Sequence, residues 1–296
     1  MAFYNLKINK RISTLIVGVF LLVRSPIFGY DFDARGIAPC ALITIPKSGS
    51  HLLIKALHLM TGGVSIWHTR FPSFHYVPPV DGFLYTHLCL SPQLERDYSE
   101  LPHLKKIVNI RDLRDVCVSI IGQIEKTYWP GMTEEERLQF LCSSFDEKLL
   151  FVINFEYDVE AVAKKAPNSL QVSVSKVAEQ AVELAADPNN LVCRYEDLVG
   201  IMGGGTQEAQ LAELERIARF LRVPLSQVDL SIIASQLYGD EINPFGKEGF
   251  KHYTSTFQNG KIGAWKTAFN EEHKAAFKKK LGSALIELGY EKDDNW

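Results

Sequence analysis

The stretch Ala41 to Gly62, ALITIPKSGSHLLIKALHLMTG, constrains the fold more than any other part of the chain. Its apolar, β-branched opening suits a strand buried on both faces, and Pro46 ends that strand because proline has no amide to give to a sheet ladder. From Ser50 onward the apolar residues recur at helical spacing. The joint, Pro46-Lys47-Ser48-Gly49-Ser50, is therefore a tight strand-to-helix turn that carries a lysine, two hydroxyls and a glycine.

Two more runs, Lys106 to Ile110 and Leu191 to Arg194, have the same buried-strand character, and Gly82 to Leu88 (GFLYTHL) adds a fourth. Helical repeats separate and follow them: Val116, Ile120 and Ile124; Leu211, Leu214, Ala218 and Leu221; Phe277, Leu281, Leu285 and Leu288. Strands alternating with helices predict an α/β fold, a three-layer α/β/α arrangement around a central parallel sheet with right-handed crossovers. Ligands in such folds sit at the carboxyl ends of the strands. Residues 31–296 read as a single domain, with a helical insertion or lid at about 131–187. The run Gly203-Gly204-Gly205 reads as a flexible linker turn.

The amino terminus reads differently. Lys7, Lys10 and Arg11 precede the uncharged run Ile12 to Val23, which is short for a bilayer span but fits a signal-peptide core. Residues 1–30 are thus expected to be a signal peptide or N-terminal hydrophobic segment, making the protein exported or membrane-associated; the alternative is a cytoplasmic protein. The five cysteines (Cys40, Cys89, Cys117, Cys142, Cys193) are odd in number and widely spaced, so they read as buried thiols rather than a disulfide or zinc framework. A formal net charge of −3 gives no global basic field, which argues against nucleic acid and requires a local site for any anionic ligand.

At the first strand end, Gly49 permits a turn that other residues resist, so the amides of Ser48 to Leu52 can converge on one spot. A helix amino terminus with free amides is an anion site, and Lys47 adds a full charge beside it. Ser50 can cap the helix and offer its hydroxyl to a phosphate. The stretch lacks the glycine spacing of a Walker A motif. At the second strand end, KIVNIRDLRDVCVSI places Arg111 at the exit and Ser119 on the following helix, which suits a second phosphate. Asp112, Arg114 and Asp115 read as a capping and ion-pair set.

With both sites in order, the chain resembles the sulfotransferases that use 3′-phosphoadenosine 5′-phosphosulfate. Pro46-Lys47-Ser48-Gly49-Ser50-His51-Leu52 is similar to their 5′-phosphosulfate loop, and Arg111 to Ser119 to their 3′-phosphate segment. RYEDL at Arg194 to Leu198 and GKIGAWKTAF at Gly260 to Phe269 resemble two later motifs, so the likeness spans about residues 40–290.

The resemblance implies a P-loop nucleoside-triphosphate-hydrolase-like fold. It also implies a sulfotransferase that moves a sulfuryl group from this donor, without a metal, to a hydroxyl or amine of a small-molecule, glycan or lipid acceptor. It assigns Lys47 to the leaving-group charge, Ser48, Gly49, Ser50 and His51 to the 5′-phosphate, and Arg111 and Ser119 to the 3′-phosphate. Tyr195, Gly260 and Lys261 join the donor site through the later motifs. Thr86-His87 matches the family's Thr-His pair, which makes His87 the expected base, and a group titrating near neutrality suits that role.

The chain departs from the pattern at three places: Gln258-Asn259 stands where the cytosolic branch of the family has Arg-Lys before Gly260, Leu52 replaces the adenine-stacking tryptophan, and Tyr85 replaces the lysine that often precedes the Thr-His pair. Alternatives are a nucleotide kinase or other phosphotransferase and a non-catalytic nucleotide-binding protein. The aromatic segment IWHTRFPSFHYVPP is a candidate acceptor-pocket lining.

Overall fold

The structure, a computed structural model, describes residues 40–61, 65–68, 82–87, 105–126, 132–156, 173–238 and 260–296. The expected signal segment, Cys89 and the stretch 258–259 lie outside the described residues. All described residues belong to one compact unit, Phe32–Trp296.

Five strands form one sheet: β1 (Cys40–Thr44), β2 (Ser65–His68), β3 (Gly82–His87), β4 (Lys105–Ile110) and β5 (Asn190–Arg194). Their order is β2-β3-β1-β4-β5, and every pairing is parallel. Four of the five were legible as apolar runs. β2 was not, because Ser65-Ile66-Trp67-His68 is short and lies in the segment read as a pocket lining.

Side-chain alternation along the strands splits the core in two. Ala41 and Ile43 of β1 join Val108 and Ile110 of β4 on one face, with α2 (Leu113–Lys126), α4 (Phe145–Asn154), α5 (Val174–Ala186) and α10 (Glu271–Glu287). Cys40, Leu42, Ile107 and Cys193 point to the other face, covered by α1 (Ser50–Thr61), α7 (Gln207–Leu221) and α8 (Gln227–Leu237). This is the three-layer arrangement that the period-two burial of central strands requires. Among the described residues the remaining α-helices are α3 (Glu134–Cys142) and the one-turn α6 (Tyr195–Leu198) and α9 (Trp265–Ala268).

Within the stretch expected as an insertion or lid, α4 and α5 bury Leu149, Val152, Ile153, Val177, Ala178 and Ala181 in the same cluster as β1 and β4. They form part of the covering layer. Cys40, Cys117 and Cys193 are buried free thiols as expected, whereas Cys142 is exposed. Cys142 ends α3, whose one buried residue is Phe140, so its apolar neighbours do not face the core.

α1, after β1, covers one face and α2, after β4, covers the opposite face. The loops leaving these adjacent strands diverge and open a crevice at their carboxyl ends, the topological switch point of such sheets. Lys47 and Arg111 stand at that point.

Candidate active site

The loop after β1 is strained by design of its sequence. Lys47 has φ 68° and Gly49 φ 82°, both left-handed, a region that costs a side-chain-bearing residue about 1–2 kcal/mol. Gly49 has a second reason to be glycine: a Cβ there would stand 2.3 Å from Cδ2 of the Tyr195 ring. The loop is anchored from β4, where the Asn109 side-chain amide donates to the Ser48 carbonyl and to Ser48 Oγ, each at 3.0 Å. Asn109 was not anticipated from sequence; it sits opposite Thr44 in the β1–β4 register.

The anion-binding amides are fewer than expected. The Ser48 amide donates to the Ile45 carbonyl at 3.0 Å and the Leu52 amide to Gly49 at 2.9 Å, because the tight turn and the first helical turn consume them. Among the described residues, the Gly49 and Ser50 amides have no backbone acceptor. Ser50 does not cap the helix either. Gly49 occupies the position before α1, and Ser50 Oγ donates to Thr44 Oγ1 at 2.8 Å. Ser48 is wholly buried beneath the loop and His51 is partly exposed on α1.

Lys47 Nζ donates to Gln123 Oε1 at 3.1 Å, another residue sequence reading missed although Gln123 lies one helical turn beyond Ser119 on α2. Burial, with the charges of Arg111 and Lys126, brings Lys47 down from 10.5 to about 8. Ser119 is partly buried on the same helix. His87 ends β3, where its Cα pairs with that of Thr44, one strand over from the loop that carries Lys47.

Arg111 connects the two loops. Its guanidinium donates through one nitrogen to the Lys47 carbonyl (3.2 Å) and through the other to the Lys261 carbonyl (2.9 Å). It stacks over the Tyr195 ring at 4.4 Å and faces Asp115 at 3.7 Å. The residue is 7% exposed, and its Nε has no hydrogen-bond partner among the described residues. A buried guanidinium nitrogen without a partner leaves hydrogen-bonding capacity that an anionic ligand could use.

The other side of the crevice is the segment Gly260 to Trp265, held almost entirely through its backbone. The Tyr195 hydroxyl donates to the Gly260 carbonyl, and the Asp115 carboxylate accepts from the Gly263 and Trp265 amides at 2.7 and 2.9 Å. Lys261 enters the site through its carbonyl, and its side chain is exposed. Within the expected capping set, Asp112 does cap and pair with Arg114, at 2.7 Å to the guanidinium. Asp115 pairs with Arg111 at 3.7 Å and in addition grips a segment far away in sequence. The RYEDL motif works in the same way: Glu196 accepts from the Asp112 amide and from the Tyr290 hydroxyl, each at 2.9 Å, which locks the β5 exit to the β4 exit.

The glycine run read as a linker is also part of this site. The Ile262 amide donates to the Gly203 carbonyl at 3.0 Å, and the turn closes on itself through Gly205 to Gly200 at 2.9 Å. Nothing in the local sequence marks it as more than a turn, since its partner lies in another motif.

A sulfotransferase domain profile matches residues 39–289. Among solved structures, mouse sulfotransferase SULT7A1 complexed with PAP is similar at 15% identity and a TM-score of 0.61, over 86% of this chain and 89% of that chain. Retinol dehydratase in complex with androsterone and inactive cofactor PAP is similar at 16% identity and a TM-score of 0.49, over 83% and 80%. The likeness to the mouse protein is one of fold. No curated protein sequence matches the chain. The profile match covers most of the chain and contains all four motifs in order, and the chain belongs to the sulfotransferase domain family.

Proposed function

We propose that the protein transfers a sulfuryl group from 3′-phosphoadenosine 5′-phosphosulfate to a hydroxyl, or secondarily an amine, of a small-molecule, glycan or lipid acceptor. The observation that carries this reading is Arg111, buried, bonded to both loops and left with an unpartnered Nε. It supports a ligand with two anionic ends, one at the Lys47 loop and one near Gly260 and Lys261.

The residues present fit such a donor. Lys47 and the Gly49 and Ser50 amides would meet the 5′ end; Arg111 and Ser119, beside the segment that Tyr195 holds, would meet the 3′-phosphate. When bound, the donor supplies an activated sulfur–oxygen bond. In the transfer the acceptor oxygen bonds to sulfur as the bridging sulfur–oxygen bond breaks. His87 takes the acceptor proton, and Lys47 neutralises charge on the departing phosphate oxygen. The sulfate ester and 3′-phosphoadenosine 5′-phosphate leave, so atoms and charge balance. No metal enters this scheme.

Stabilisation of the protein by 3′-phosphoadenosine 5′-phosphate should exceed that by ADP in a thermal-shift assay; equal stabilisation by ADP would sink the reading in favour of a kinase. Radiolabelled transfer to an acceptor panel should fall by about a thousandfold or more in Lys47→Ala and by about a hundredfold or more in His87→Ala. We further propose that residues 1–30 direct the 31–296 domain to a membrane or out of the cytoplasm. No helix among the described residues is long and apolar enough to cross a membrane. Mass spectrometry of the mature amino terminus tests the proposal, and an intact, unprocessed and unbound chain in the soluble fraction would overturn it.

A further inference from the structure

We infer that the turn Gly200 to Gly205 is a positioning element for the donor's 3′-phosphate, an inference that rests on the sulfotransferase reading above. One peptide unit links the turn to Arg111. The carbonyl of Lys261 accepts from Arg111 at 2.9 Å, and the N–H of the same peptide, on Ile262, donates to the Gly203 carbonyl at 3.0 Å. A peptide unit is planar, so fixing its N–H fixes the direction of its C=O. Gly203 thereby sets the tilt of the carbonyl against which Arg111 is aimed.

The turn is built to reach that place. Gly200 and Gly204 have φ values of 69° and 95°, which glycine adopts without the penalty of a side chain. Gly203 must also lack one: a Cβ there would lie 2.2 Å from Val199 Cγ2 and 2.9 Å from the Gly260 carbonyl oxygen. Gly205 is equally confined, with the Glu196 carbonyl 2.8 Å from where its Cβ would be. The Ile262 amide bond to the Gly203 carbonyl holds the turn against the Gly260 to Gly263 backbone, and the close approach leaves no room for a side chain at Gly203. Just before this segment the sequence reads Gln258-Asn259, where the cytosolic branch of the family places two cations. With those charges absent, the aim of buried Arg111, whose Nε is unpartnered, bears more of the 3′-phosphate recognition.

The two clashes at Gly203 can be separated by mutation. Val199→Ala removes the side-chain clash, so Gly203→Ala in that background retains only the push on the Gly260 carbonyl. Calorimetric titration of wild type, Val199→Ala and the double variant with 3′-phosphoadenosine 5′-phosphate and with adenosine 5′-monophosphate reads the effect, with Tm measured alongside. The double variant should bind the bisphosphate about tenfold more weakly than Val199→Ala while binding the monophosphate equally well. Ile262→Pro, which deletes the donated N–H at a residue of negative φ, should give the same selective loss should the double variant fail to fold. Unchanged bisphosphate affinity, or equal weakening of both nucleotides, overturns the proposal. A wild type that prefers the monophosphate overturns the donor reading itself, and is distinguished by needing no variant.

Discussion

The two ends of the crevice are built on opposite plans. The Pro46 to Ser50 loop takes its shape largely from its own residues: two left-handed positions, a strand before it and a helix after it, with side-chain anchors from Asn109 and Arg111 at the adjacent strand end. The Gly260 to Trp265 segment has no strand or long helix to define it, and is gripped through backbone groups by Tyr195, Arg111, Gly203 and Asp115. A locally determined loop tolerates change elsewhere but not within itself. A segment held from a distance should behave in reverse, with its own side chains replaceable and its remote grips indispensable.

The sharpest break of the local plan is Gly49→Ala. The substitution forces a side chain into a left-handed position and drives a methyl into the Tyr195 ring, 2.3 Å away. Combined strain and overpacking should cost about 3 kcal/mol of stability. Because Tyr195 also carries the Gly260 carbonyl and the stacked Arg111 guanidinium, both ends should suffer together. Binding of 3′-phosphoadenosine 5′-phosphate should weaken by about a hundredfold or more, read by calorimetry. Retained affinity would mean that Tyr195 yields without disturbing either loop.

The same contrast explains what was legible in sequence. Strand runs, helical repeats and the Lys47 and Gly49 turn declare themselves because their determinants are neighbours: apolar alternation, a proline stop, a glycine where φ must be positive. The roles of Asn109, Gln123, Asp115 and Gly203 do not, since each is defined by a partner remote in the chain. Asp115 meets Gly263 across 148 residues, and Asn109 meets Ser48 across 61. An aspartate three residues after Asp112 at a helix start reads as a capping group by every local criterion. The error over Ser48 and Leu52 has another origin: spacing shows that amides are near a turn, but not which of them the turn itself consumes. β2 escaped notice because four residues are too few to show a period.

Asp115→Asn tests the distant plan at its buried grip. The carboxylate is 1% exposed and accepts two amide protons while facing Arg111. Burial pushes its pKa up, opposed by Arg111 and the two amides. Asparagine keeps the volume but turns one acceptor into a donor, so one of the Gly263 and Trp265 amides loses its partner. Hydrogen bonds to charged groups are worth about 1.5–3 kcal/mol, and stability should fall by about that much. Bisphosphate affinity should drop about tenfold with the monophosphate spared, a selectivity opposite to the general loss expected for Gly49→Ala. Equal loss for both nucleotides would erase the distinction between the two ends.

The smallest expected effect is a pH dependence confined to the local end. Lys47 titrates near 8 because burial and the charges of Arg111 and Lys126 disfavour its ammonium form. The unfolded chain holds the same proton up to the ordinary value of 10.5, so over that window the unfolded state binds more protons and stability rises with pH. The cost of keeping Lys47 charged is complete below pH about 8 and fades as pH approaches 10.5. Lys47→Met should therefore raise the Tm at pH 7 and flatten its rise across the window relative to wild type. An anionic donor favours the charged lysine, so bisphosphate affinity should fall by up to about tenfold between pH 7 and 9 in wild type. In Lys47→Met that slope should vanish, while in Asp115→Asn it should persist at lower affinity. A slope that disappears with Asp115 instead would place the titrating charge at the wrong end of the crevice.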